Sequence, residues 1–294
     1  MSQGDKLGLG TVQWGLPYGI SGEKEITPPQ TVAAILTEAQ RVKIRVLDTA
    51  VLYGESERVL GSNCLDEFDV VTKTPRFATS VITDDDASRI TKAFSQSLEK
   101  LSTKNIYGLL LHHANDLLVP GGTKLLAAMM ALKEKGAVEK IGVSVYDAEQ
   151  IDAVLKVFTP DIVQLPISVL DQRLLTNGRL DMLKSEGVEI HARSVFLQGL
   201  LLMPLRQVPA YFDPIRPLLS MWHSAAEVQG MTLAQAALSY VRDIVLVDTV
   251  LVGVESLEQF RACLSDFFGE RTFNAAGLSC HAPEFVNPAL WNLS

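Results

Sequence analysis

A chain of 294 residues with 47% hydrophobic content can bury a large core, as one barrel-type domain or as two smaller ones. Its formal charge of -8 and pI near 5.2 argue against a general binder of the nucleic-acid backbone, whose affinity rests on clustered Lys and Arg. Cys64, Cys263 and Cys280 are odd in number and far apart, with no CxxC pair, so neither a disulfide framework nor a zinc cluster is indicated.

The opening "MSQGDKLGLG" lacks a basic stretch followed by an apolar core, and no apolar run approaches the roughly 18 residues of a membrane span. A cytoplasmic protein without a membrane partner is expected. Along the chain, "LGLGTV" (7–12) reads as a first strand and "PPQTVAAILTEAQRV" as a helix; "IRVLDT" (44–49) and "DVVTKT" (69–74) follow as strands. The helical "DDASRITKAFSQSLEKL" precedes "YGLLLH" (107–112), and the helical "TKLLAAMMALKEKG" precedes "KIGVSV" (140–145). "DIVQLP" (161–166), "VEIHAR" (188–193) and "DTVLVG" (248–253) complete eight apolar runs. Helix signals agree: Thr27 stands before Pro28 and Pro29, acidic residues 84–86 open another helix, and Gly136 and Gly187 close two more.

Continuous apolar strands alternating with helices predict a parallel sheet covered by helices, and eight such units predict an α/β fold of the closed (β/α)8 TIM barrel type. One domain over 1–294 is expected, with an insertion at about 196–230 and a carboxy-terminal tail at about 275–294. The rival open sheet would carry a GxGxxG turn leading into a helix, which "GLGTVQWG" lacks.

In such a barrel the chemistry gathers at the carboxyl ends of the strands. Those ends carry Asp48, with Tyr53 in the loop beyond, then Lys73 and His112, on consecutive strands. Neighbouring strands lie roughly 4.8 Å apart, so these side chains can converge on one reacting atom. An ammonium close to a tyrosine favours the phenolate and lowers a pKa of about 10. Lys73 is expected to do this for Tyr53, with Asp48 holding Lys73 charged and His112 hydrogen-bonding a substrate oxygen. Trp14, near the first strand end, is a candidate for the substrate pocket.

At these residues the sequence resembles the aldo-keto reductase family. "LDTAVLYG", "VVTKT" and "LLLHHAND" match in order the family segments bearing the catalytic Asp, Tyr, Lys and His; "GLGTVQWG", "GVS" and "VQ" correspond as well. The resemblance implies a nicotinamide coenzyme bound without a Rossmann fingerprint, and hydride transfer to an aldehyde or ketone while Tyr53 donates a proton. It favours His112 over His113. It implies coenzyme contacts from Thr11, Asp48, Ser144, Gln164, Arg193, Ser194, Gly253 and Gln259, and substrate contacts from Trp14, Tyr53 and His112. Arg193 stands where many members carry an aromatic that stacks on the nicotinamide, and Val145 where many carry Asn. Gly253 and Gln259 stand where NADPH-preferring relatives often place Lys and Arg around the 2'-phosphate, and Glu255 lies in the same segment. NADPH is the expected coenzyme and NADH the alternative, with weaker discrimination against NADH than in relatives that carry both basic residues. Two rival readings are a catalytically silent coenzyme-binding regulator and a metal-dependent barrel hydrolase built on His112, His113 and His191. No metal site is expected.

Overall fold

The computed structural model describes residues 6–20 and 25–293. Residues 1–5, read above as lacking a leader, and Ser294 of the tail lie outside them. The strands are β1 (Leu7–Gly10), β2 (Val46–Asp48), β3 (Asp69–Lys73), β4 (Ile106–Leu111), β5 (Val138–Ser144), β6 (Ile162–Pro166), β7 (Glu189–Arg193) and β8 (Thr249–Gly253). They pair in sequence order, all parallel, and β1 returns to β8 to close the barrel. All eight expected strands are present.

The helices are α1 (Pro29–Arg41), α2 (Ser56–Gly61), α3 (Asp84–Lys100), α4 (Asn115–Leu118), α5 (Thr123–Glu134), α6 (Ala148–Leu155), α7 (Arg179–Ser185), α8 (Arg216–Val228), α9 (Leu233–Arg242), α10 (Leu257–Phe267) and α11 (Pro283–Val286). Local chemistry explains several ends. Thr83 and Asp86 form a capping box that satisfies free N–H groups at the start of α3, and the carboxylates 84–86 complement the positive end of its dipole. Thr232 and Gln235 do the same for α9. Gly136 and Gly187 adopt positive φ after α5 and α7, where a side chain would be strained. Thr27 differs from expectation: Pro28 occupies the cap of α1 without a side-chain hydrogen bond, and the Thr27 hydroxyl is buried with no partner among the described residues.

One large apolar cluster fills the space between barrel and helices. A small second cluster, Val46, Val71, Leu110, Ile162 and Leu251, fills the barrel interior. Gly108 faces Val71 and Ile162 closely enough that a Cβ would crowd both. Side chains alternate along a strand, so the residue two positions after each interior residue also points inward, one layer higher. Those residues are Asp48, Lys73, His112, Gln164 and Gly253. The candidate site is therefore the top layer of the barrel's own core.

Between β7 and β8, 3-10 turns at Leu197–Leu202, Leu205–Gln207 and Ala210–Ile215 precede α8. The tail packs on this segment through Trp291, edge-on to Phe212 at 5.0 Å, and through Tyr211, whose hydroxyl donates to the Glu284 carbonyl at 2.9 Å. Among the described residues, no helix is long and apolar enough to cross a membrane.

Candidate active site

A cavity of about 690 Å³ opens at the carboxyl end of the barrel. Its wall includes Thr11, Asp48, Tyr53, His112, Ser144, Gln164, Arg193, Ser194, Gly253 and Gln259, and Pro288 and Ala289 of the tail contribute to it. Every sequence-predicted site residue except Lys73 and Trp14 lines this space.

Lys73 lies beneath the wall and is fully buried. Its Nζ donates to Asp48 Oδ2 at 2.6 Å and to the Thr49 carbonyl at 2.9 Å. Asp48 Oδ1 accepts from Gln164 Nε2 at 2.6 Å. Both carboxylate oxygens are thus engaged, which offsets the cost of burying a charge. Lys73 Nζ sits 5.0 Å from the centre of the Tyr53 ring, and the Tyr53 and His112 rings meet edge-on at 5.9 Å.

Tyr53 is placed by close packing between two loops. Gly54 has φ +56 and packs on the Gly15 carbonyl, while a Cβ on Gly15 would collide with the Tyr53 carbonyl. Ser56, next in the turn, donates to the Thr11 carbonyl at 2.9 Å and meets the hydroxyls of Thr11 and Thr49 at 2.7 and 3.1 Å. Thr11 Oγ1 also donates to the Asp48 carbonyl at 3.0 Å.

The electrostatics differ from the sequence expectation. Burial and then the Asp48 carboxylate push the Tyr53 hydroxyl above its ordinary pKa, and Arg193 pulls the other way. The Lys73 ammonium, paired with Asp48, does not outweigh this rise. Burial also lowers the Lys73 pKa, against the opposing pull of Asp48. His112 falls to about 2, through burial first and then the charges of Lys73, His113 and Arg193, so its imidazole is neutral. His113 stacks on His112 at 5.0 Å and does not line the cavity.

Trp14 is a correction. The Val12–Trp14 turn aims Val12 and Gln13 at the cavity and sends the indole into the core, where it is fully buried and Nε1 donates to the Val254 carbonyl at 2.9 Å. It staples the ends of β1 and β8 and does not reach the substrate space. His191 is likewise fully buried, its Nε2 2.6 Å from Glu189 Oε1. Tyr107 and Lys140 also hydrogen-bond Glu189, at 2.7 and 2.5 Å. Among the described residues, no group of three or more His, Cys, Asp or Glu side chains could hold a metal ion.

Sequence reasoning missed Tyr146, which lies under the Arg193 guanidinium at 4.3 Å, and Tyr18, Gln13 and Gln198, which also line the cavity. Alternation flags Tyr146, two residues past Ser144. Gln198 carries a different signal: it, Ser194 and Leu197 all hold positive φ, and strain of this kind clusters at ligand sites.

The wall fits a nicotinamide dinucleotide. Its volume lies within the range of cofactor cavities, and two side chains lining it, Gln13 and His112, have buried polar atoms without protein partners, Oε1 and Nδ1.

A sequence model of the aldo/keto reductase family matches residues 6–271. D-arabinose 1-dehydrogenase of Saccharomyces cerevisiae is 25% identical over 252 residues, covering 76% of this chain and 72% of that protein. Among solved structures, an aldo-keto reductase from Bacillus halodurans in its holo form superposes with a TM-score of 0.72 at 22% identity, over 93% of this chain and 89% of that one. The glycerol dehydrogenase of Gluconobacter oxydans superposes with a TM-score of 0.67 at 21% identity, over 91% and 87%. At these identities the superpositions speak for the fold alone. The family match spans all eight strands and every residue of the buried Lys73–Asp48–Gln164 chain, so this chain belongs to the aldo/keto reductase family and is an NAD(P)H-dependent oxidoreductase.

Proposed function

We infer that this enzyme reduces an aldehyde or ketone to the alcohol, or runs the reverse oxidation, with Tyr53 carrying the proton. The observation that carries this reading is the buried Gln164–Asp48–Lys73 chain beneath a tyrosine and a neutral histidine that share one cavity wall.

A nicotinamide dinucleotide, when bound, supplies the hydride. Ser144 and Gln164 would hold its carboxamide: Gln164 donates one amide N–H to Asp48, which leaves Oε1 free to accept. Arg193 and Ser194, at the end of β7, would contact the coenzyme beside Tyr146, and Thr11, Gly253 and Gln259 would line its path. Gly253 and Gln259 bring no charge to a 2'-phosphate, so NADPH lacks the cationic support that basic residues there would give.

Tyr53 keeps its proton until negative charge develops on the substrate oxygen, because burial disfavours the phenolate. It then donates, and Lys73 stabilises the anion that remains. Asp48 holds the ammonium charged and aimed despite the burial that works against it. His112, as neutral imidazole, hydrogen-bonds the substrate oxygen without competing as a cation. General acid catalysis of this kind contributes about 10²–10⁴ in rate. A cytoplasmic setting suits the three cysteines, which are all free.

The test is turnover of a panel of aldehydes and ketones, followed by the absorbance of the reduced coenzyme. Consumption dependent on the carbonyl compound supports the reading. Tight coenzyme binding with no turnover on any member supports a silent binding protein instead.

A further inference from the structure

The cavity has two ends. One is the catalytic end, with Tyr53, His112 and Arg193. The other passes Gly253 to Glu255 and then follows one face of α10, where Gln259, Ala262, Cys263 and Asp266 recur at helical spacing. A dinucleotide with its nicotinamide at Tyr53 would have its adenosine half in this second arm.

The charges of that arm are one-sided. Among the described lining residues Arg193 is the only Lys or Arg, and it is spent at the catalytic end, over Tyr146 and donating to the Val145 carbonyl at 3.0 Å. Asp48 has Lys73 as its partner, but Glu255 and Asp266 form no ion pair among the described residues. Arg261, the basic residue of α10, points elsewhere and pairs with Glu38 at 3.2 Å. The loop holding Glu255 is fixed: its backbone N–H donates to Gln259 Oε1 at 2.9 Å, and Ser256 caps α10 by accepting from the Gln259 N–H at 3.0 Å. The Gln259 side chain also hydrogen-bonds the Glu255 carboxylate, so its amide is engaged within the loop and brings no positive charge to a phosphate. Burial raises the Glu255 pKa and Gln259 partly offsets this.

We propose that the adenosine arm selects the coenzyme with a free 2'-hydroxyl, NAD(H), and that Glu255 sets the choice by accepting a hydrogen bond from the ribose and repelling a 2'-phosphate. A phosphomonoester adds close to two negative charges to an arm whose described lining residues include two carboxylates without an ion-pair partner and no Lys or Arg, whereas a ribose hydroxyl meets an acceptor suited to it. This reverses the NADPH expected from the family resemblance. It rests on the reading that a nicotinamide coenzyme occupies this cavity.

The experiment is equilibrium titration of the purified enzyme with NADH and with NADPH, read by quenching of tryptophan fluorescence, for the wild type, Glu255→Gln and Glu255→Arg. The wild type is expected to bind NADH at least about tenfold more tightly, or roughly 1.4 kcal/mol. Glu255→Gln narrows that ratio, and Glu255→Arg moves it toward NADPH by a further tenfold or more while NADH still binds. Equal or tighter NADPH binding by the wild type overturns the proposal, as does a ratio unmoved by both substitutions. If neither coenzyme quenches the wild type, the coenzyme reading itself fails, and the selection falls with it.

Discussion

Thr72 Oγ1 donates a 2.7 Å hydrogen bond to Glu57 Oε1. Thr72 immediately precedes Lys73 at the end of β3, and Glu57 lies in α2, which begins three residues after Tyr53. The bond therefore ties the turn bearing the candidate acid to the strand bearing its cation. Glu57 is 1% exposed, and among the described residues its second oxygen has no hydrogen-bond partner, the Lys100 ammonium lying 3.8 Å away.

Glu57→Ala is expected to leave the Thr72 hydroxyl buried without an acceptor, at a cost of about 1–3 kcal/mol, and to loosen Tyr53 from Lys73. Glu57→Gln keeps the acceptor and should restore most of both stability and turnover. Urea unfolding and steady-state rates on the two variants check this. Equal losses in both would point to the charge of Glu57 rather than to the bond.

Much of this arrangement was legible in the sequence, and the reason is periodicity. Eight apolar runs predict strands whose last inward position faces the mouth, which is why Asp48, Lys73, His112, Ser144 and Gln164 gather at one end of the barrel. Trp14 was misread because it sits in a 3-10 turn, where strand alternation no longer decides direction. Glu57 was invisible because a buried carboxylate is recognised by its partner, and Thr72 is remote in sequence. The Tyr53 pKa differs from expectation for a related reason: sequence places Lys73 near it but reveals neither the burial that raises it nor the pairing of Lys73 with Asp48.

Lys73→Met strands Asp48, which keeps Gln164 but loses its cation inside the core. Breaking a buried pair from one side costs about 3–5 kcal/mol, and a variant that still folds should show weak reduction with an altered pH profile. Adding Asp48→Asn should recover part of the stability and none of the activity. Denaturation midpoints and pH–rate curves for the single and double variants measure both. An unchanged rate and profile in Lys73→Met would make the pair purely structural.

His112 gives a pH prediction. Its pKa lies at about 2 in the folded protein against an ordinary 6.5, with burial the main cause. Between those values the unfolded chain binds a proton that the folded one refuses, so this residue destabilises the fold progressively as pH falls from 6.5 toward 2. Above 6.5 it costs nothing. His112→Asn should flatten the loss of unfolding free energy between pH 7 and pH 5, and NMR should show the wild-type His112 ring not titrating over that interval. A ring titration near its ordinary value would contradict the neutral role assigned to it.

The most direct test of the account is Tyr53→Phe. Removing one hydroxyl from a ring held by the Gly15–Gly54 contact leaves the packing in place, so coenzyme affinity should stay within a few-fold of wild type. Reduction of the best aldehyde substrate should fall by at least about 100-fold, the lower end for general acid catalysis. Near-normal turnover with intact coenzyme binding would contradict the assignment of Tyr53 as the proton donor.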